Sequence, residues 1–138
     1  MHRRYDGIEF FLYPIDIEKI PRDEFSDTLP IKILFGGTSA SNKDKIVSIL
    51  KKLIHKNISY VMFYGEFTDD IHDEIDYVIE DYDKDIVTFS VDDDSSGDIL
   101  YDMVQRWDDC GDKFQCILFL DFLNEKSMDI VKLLNGVI

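Results

Sequence analysis

Basic residues are nearly missing from the middle of this chain. Between Glu66 and Asp112 only Lys84 and Arg106 are basic, against eighteen Asp and Glu, a net charge of −16. Residues 1–65 hold eight acids and ten bases and residues 113–138 hold three of each, which leaves the whole chain at −14. Other scarcities narrow the function classes. The two cysteines, Cys110 and Cys116, are too few for a disulfide framework, so a reducing, cytoplasmic setting is expected. Cys116 lies in an apolar run and reads as a buried thiol. No apolar run approaches the ~20 residues that span a bilayer. The start, Met1-His2-Arg3-Arg4-Tyr5-Asp6, lacks the apolar core of a secretion signal. Neither membrane attachment nor export is expected. A surface of this sign repels nucleic-acid phosphate, so direct nucleic-acid binding is not expected either.

Catalytic motifs are also scarce. His2, His55 and His72 have no metal-ligand spacing and read as terminal or as lying on the outer parts of helices. There is no G-x-S-x-G elbow. The stretch Gly36-Gly37-Thr38-Ser39-Ala40-Ser41 precedes a helical pattern but lacks both the later glycines of a dinucleotide fingerprint and the Gly-Lys-Ser/Thr of a phosphate loop. It reads as a strand-to-helix turn, and no cofactor is expected. Asp108, Asp109 and Asp112 flank Cys110, and their negative field disfavours a reactive thiolate.

What is present is enough to fold. With 138 residues and 45% hydrophobic content, the chain fits one domain over residues 1–138 with a sizeable core. Residues 1–30 read as an irregular arm packed on the body, with Ile8 to Tyr13 a candidate edge strand ended by Pro14. Strands are expected at Ile31–Phe35, Ile58–Tyr64, Asp85–Val91 and Phe114–Leu120, from short runs rich in β-formers. Between them, helical spacing of apolar residues predicts helices over Asp44–Lys56, from a Thr68 cap through Tyr82, and from about Ser96 to Asp109. The first buries Ile46, Ile49, Leu50, Leu53 and Ile54 and shows a lysine-rich outer face. The second buries Ile71, Ile75, Val78 and Tyr82, and the third Ile99, Leu100, Met103, Val104 and Trp107, with Gly111 as its stop. A last helix is expected over Ser127–Leu134. Strands alternating with helices argue for a three-layer α/β fold, a mostly parallel four-stranded sheet with helices on both faces.

On the second helix, Asp69, Asp73, Asp76, Glu80 and Asp83 recur at spacings of 4, 3, 4 and 3, which predicts one outward column of carboxylates. Asp92, Asp93 and Asp94 follow in a strand-exit loop, and Asp98, Asp102 and Asp109 on the third helix. Tyr77 and Tyr101 read as half-exposed aromatics among these acids, a combination that suits a protein interface. These thirteen residues form the candidate partner-binding set, and the expected partner is a basic protein. In small size, acidity and expected setting, the chain resembles the immunity proteins that neutralise the C-terminal toxins of contact-dependent inhibition systems. That resemblance implies a cognate toxin domain, such as a nuclease with a cationic cleft, as the partner. Pro30-Ile31-Lys32 and Tyr60-Val61-Met62-Phe63-Tyr64-Gly65 are similar to an uncharacterised family of small bacterial α/β proteins, which implies a fold and no activity.

Two alternatives use the same residues. Carboxylates about 5–6 Å apart along a helix imitate the phosphates of one DNA strand, the logic of a DNA mimic that blocks a DNA-binding protein. Separately, Glu66 with Asp92-x-Asp94-x-x-Gly97 resembles the toprim metal site. That resemblance implies Glu66 as acid or base, Asp92 and Asp94 as ligands of Mg²⁺, and phosphoryl transfer as the reaction.

Overall fold

The computed structural model describes residues 1–105 and 113–136. Its strands are β1 (His2–Tyr5), β2 (Ile8–Pro14), β3 (Ile31–Thr38), β4 (Ile58–Gly65), β5 (Val87–Ser90) and β6 (Gln115–Leu120). Its α-helices are α1 (Lys43–Leu53), α2 (Thr68–Asp81), α3 (Ser96–Val104) and α4 (Glu125–Leu134). The strands form one sheet in the order β1-β2-β6-β3-β4-β5. Only β1 runs against its neighbour; the other pairings are parallel.

Side chains alternate between the two faces along each strand, and two cores result. Ile33 and Phe35 of β3 and Val61 and Phe63 of β4 join α1 and α2 in one core. Leu34 of β3 and Met62 of β4 join α3 and α4 in the other. The three-layer arrangement follows, and so does the placement of each helix. Crossovers between parallel strands are right-handed. The steps β3 to β4 to β5 move one way across the sheet and put α1 and α2 on one face. The return from β5 to β6, on the far side of β3, puts α3 on the opposite face.

Several expectations need correction. The sheet has six strands rather than four, because the first residues are regular. β1 and β2 form a hairpin around Asp6-Gly7, whose φ angles are 51° and 79°. Two successive residues at positive φ are what a tight hairpin turn needs, and Asp-Gly is a favoured pair for it. β2 is therefore an inner strand between β1 and β6, and β1 forms the edge. β3 continues through Gly36-Gly37 to Thr38 where the turn was expected. A side chain at Gly36 would meet the Tyr64 hydroxyl at 2.4 Å, so this close strand contact excludes one. α1 ends at Leu53 rather than Lys56, and β5 is shorter than the expected Asp85–Val91. α4 begins at Glu125, two residues before the expected start, and Asn124 caps it by accepting from the Ser127 N–H.

α3 stops at Val104, well before Asp109. Gln105 turns to extended backbone, and the reason lies in a distant strand. Lys32 of β3 is fully buried, and its Nζ donates to the carbonyls of Met103 (2.8 Å) and Gln105. A cation at a helix C-terminus satisfies carbonyls that the helix leaves without partners. Lys32 Nζ also lies 3.7 Å from the centre of the Phe114 ring. Trp107, Asp109 and Gly111 lie outside the described residues.

Candidate functional site

The acidic block is continuous in sequence and divided in space. α2 and α3 lie on opposite faces of the sheet, with β5 at the edge between them. The carboxylates therefore wrap round one edge instead of covering one surface. This corrects the picture of two consecutive helices displaying their acids together.

On α2 the outward column is incomplete. Asp69, Asp73 and Glu80 are exposed, and Tyr77, 76% exposed, stands among them. Asp76 turns inward. Its Oδ1 accepts from the Thr88 hydroxyl on β5 at 2.8 Å, and its Oδ2 lies 3.5 Å from His72 Nε2. Because the Thr88 hydroxyl donates to Asp76, it accepts from His72 Nε2, also at 2.8 Å. The His72 ring meets Phe63 edge-on, 5.0 Å between centroids. His72 is thus a half-buried link between helix and strand, where an outer position was expected. Asp83 follows the helix with φ 51° and is exposed. Tyr82 is 38% exposed; the fourth buried position belongs to Ile79, one turn on from Ile75. The residue before the helix is Phe67, in a left-handed conformation, and Thr68 is its first residue rather than its cap.

The β5 exit loop has its own internal partners. Asp92 Oδ1 accepts from the Gly65 N–H and Oδ2 from the Thr68 hydroxyl, both at 2.8 Å. Lys126 donates to the Asp92 carbonyl at 2.9 Å. Asp92 is a brace between the ends of β4 and β5, and neither oxygen faces a common centre with Glu66. Among the described residues no three His, Cys, Asp or Glu side chains converge as a metal-ligand group, so Glu66, Asp92 and Asp94 are not brought together. Asp93 is exposed.

On α3, Asp98 is exposed and Tyr101 is 60% exposed, while Asp102 is half-buried. Partial burial raises the Asp102 carboxyl above its ordinary value, as do the Asp94 charge, a hydrogen bond to Asp94 and the Asp98 charge. Of the candidate set, Asp109 lies outside the described residues. Two exposed apolar residues on this side, Phe67 and Val87, were not singled out in the sequence. Their signal was weak: Phe67 sits directly before a helix start and Val87 begins an edge strand.

A cleft of about 420 Å³ opens at the carboxyl ends of β2, β3 and β6, lined by Ile15, Asp16, Ser39, Asn42, Asp121 and Leu123 among others. It lies where the strand order reverses, the usual ligand position in an open α/β sheet. Its loop is satisfied internally. Asn42 accepts from the Ser39 N–H at 2.8 Å and donates to the Gly37 carbonyl at 3.1 Å, and the Ser39 and Ser41 hydroxyls pair at 2.9 Å. Asp16 and Asp121 make the rim negative, which opposes a phosphate ligand. Nearby, Tyr64 pairs with Ser127 at 2.5 Å, and burial pushes its hydroxyl up to about 12, with the Asp121 charge adding to the rise.

The fold and this surface define an α/β protein with an acidic edge. No protein-family model matches the chain, and no curated protein or solved structure matches it either. Among the described residues no helix is long and apolar enough to cross a membrane.

Proposed function

We propose that this chain is an acidic protein-binding inhibitor of the immunity-protein type, which captures and neutralises a basic partner such as a toxin nuclease. One observation carries the reading. Exposed carboxylates and exposed aromatics occur together on helices whose other sides are packed into the core. Asp69, Asp73 and Glu80 are exposed on α2 together with Tyr77, and Asp98 is exposed on α3 together with Tyr101. The charges steer a cationic partner and can bring association towards ~10⁸–10⁹ M⁻¹s⁻¹ at low salt. The aromatics add contact area at little entropic cost, because their backbones are already ordered. Asp76 and Asp92 also have internal partners, and they hold the helix and strand ends that carry this display.

Affinity purification from the native host tests the proposal. The expected result is a basic protein that co-purifies and is released by salt, with the product of the adjoining gene the first candidate. A further arm uses the purified pair. Inhibition of the partner's activity on adding this chain supports neutralisation, and capture without inhibition refutes that part.

A further inference from the structure

The two outermost strands differ in how they meet solvent. β1 carries His2, Arg3 and Arg4, all exposed, and Arg4 pairs with Glu9 at 3.1 Å. Charged side chains on an edge strand are a common guard against pairing with another chain. β5 is Val87-Thr88-Phe89-Ser90 and carries no charge, no proline and no register shift against β4. Its orientation is defined. The Val91 N–H donates to the Phe63 carbonyl at 2.9 Å, so Val91 points its backbone groups at β4. Backbone groups alternate along a strand, so Phe89 and Val87 point inward as well. Thr88 and Ser90 then direct N–H and C=O away from the sheet. Val87, 48% exposed, stands beside this row.

We infer that the outer side of β5 is a strand-addition site, and that its occupant is an extended, lysine- or arginine-bearing segment of a basic protein. The inference rests on the proposed function for the sign of the partner and adds the mode of recognition. Charge selects the occupant. An added strand would lie between the acids of α2 on one face and those of α3 on the other. Its side chains alternate between the two faces, so basic residues on either side meet carboxylates. A second copy of this chain is disfavoured, because two β5 edges would bring the same acidic groups together on chains of charge −14. The edge is also preorganised. Thr88 is bonded to Asp76 and His72 of α2, and the Asp92 brace holds the strand's exit. Main-chain pairing would supply affinity, and the flanking acids would supply selectivity.

The test uses the full chain and an eight-residue peptide of alternating lysine and valine, capped at both ends. An analogue N-methylated at alternate amides has the same charge but one edge unable to pair. At physiological salt the parent peptide is expected to bind and to slow hydrogen exchange at the Thr88 and Ser90 amides. The N-methylated analogue should bind roughly tenfold or more weakly, the effect of losing a few main-chain hydrogen bonds. Ser90→Pro, which removes one outward N–H without altering charge, should weaken the parent peptide similarly while leaving the circular dichroism spectrum unchanged. If that variant does not fold, the two peptides still decide the matter. Equal binding of both, without protection at Thr88 and Ser90, overturns strand addition and leaves the acidic-surface reading standing. No binding by either peptide overturns strand addition as well. Protection at these amides in protein alone, with a dimer in sedimentation equilibrium, also overturns it by making a second copy the occupant. Failure of the broader reading shows elsewhere, as a host partner whose capture survives reversal of Asp69, Asp73 and Glu80.

Discussion

At one margin of the sheet the charges sit on the strand, and at the other they sit on the helices around it. β1 holds His2, Arg3 and Arg4 in its own sequence, so an approaching strand meets side-chain charge before it meets backbone. β5 is uncharged, and its acids project from α2 and α3 on either side. The same physical quantity, exposed charge, therefore has different consequences at the two margins. On the strand it obstructs pairing. Beside the strand it discriminates among partners by sign. The comparison also shows that charge density read along a sequence says little about the shape of a surface until the crossovers are known.

The largest way to break this contrast is at the joint that supports the acidic margin. Gly65 has φ 138°, and a Cβ there would lie 2.3 Å from the Thr38 N. Gly65→Ala should cost about 3 kcal/mol or more in denaturant unfolding, from strain and collision together. The same substitution at Gly7 in the β1–β2 turn meets open space at φ 79°. Gly7→Ala should cost only about 1 kcal/mol. Equal losses at the two sites would contradict the picture of a braced acidic margin and a simple hairpin turn at the basic one.

Next in size is the loss of binding on charge reversal. Replacing Asp69, Asp73 and Glu80 with Lys should weaken capture of a basic partner roughly 100-fold at low salt, with an unchanged melting temperature to within a few degrees. Reversing Arg3 and Arg4 to Glu should leave capture intact, which makes the basic margin the control. A smaller effect is expected at the brace. Asp92→Ala leaves the Gly65 N–H and Thr68 hydroxyl without their acceptor and should cost about 1–3 kcal/mol in the same unfolding assay. Mg²⁺ should raise the melting temperature of the parent no more than that of a variant with Asp92→Asn and Asp94→Asn. A rise confined to the parent would restore a metal role for this loop.

The smallest effect is one of pH. The Asp102 carboxyl is raised above 3.8, its ordinary value. Between that value and the raised one, the folded state binds more protons than the unfolded state, so this group's contribution to stability falls as pH rises through the window. Asp102→Asn should therefore stabilise the protein slightly at neutral pH, and the gain should vanish below the ordinary aspartate range. Urea unfolding at pH 3 and pH 7 measures both points.

Much of the architecture was legible from period alone. The core positions Ile46, Ile49, Leu50, Leu53, Ile71, Ile75, Val78, Ile99, Leu100 and Met103 recur at helical spacing and are buried. The short apolar strands were also apparent. What period could not convey were events that depend on distant partners. The end of α3 depends on Lys32, which comes from another strand. Gly36 and Gly37 look like a turn in sequence, yet the packing of Tyr64 and Leu120 against Gly36 makes them strand interior. The β1–β2 hairpin is different, since Asp6-Gly7 is a local turn signal carried by the sequence itself. In the candidate site, Tyr77 and Tyr101 lie at the surface as their settings suggested. Asp76 and Asp92 are tied to neighbouring groups as well, because spacing reports which face of an element a residue occupies and not whether a neighbouring strand lies against it.

The place of β6 in the sheet has a consequence for how the chain folds. β6 is the last strand in sequence, yet it lies between β2 and β3, with Glu9 beside Gln115 on one side and Ile31 beside it on the other. Until it inserts, β2 and β3 have no strand between them and the N-terminal hairpin has nothing to dock against. Closing so long a loop before the contacts form is entropically costly, and topologies rich in such contacts fold slowly. The β3–α1–β4–α2 segment can organise from near neighbours, whereas completion of the sheet waits for Gln115–Leu120. In stopped-flow refolding, substitutions in β6 are expected to slow the final phase more than equally destabilising ones in α1.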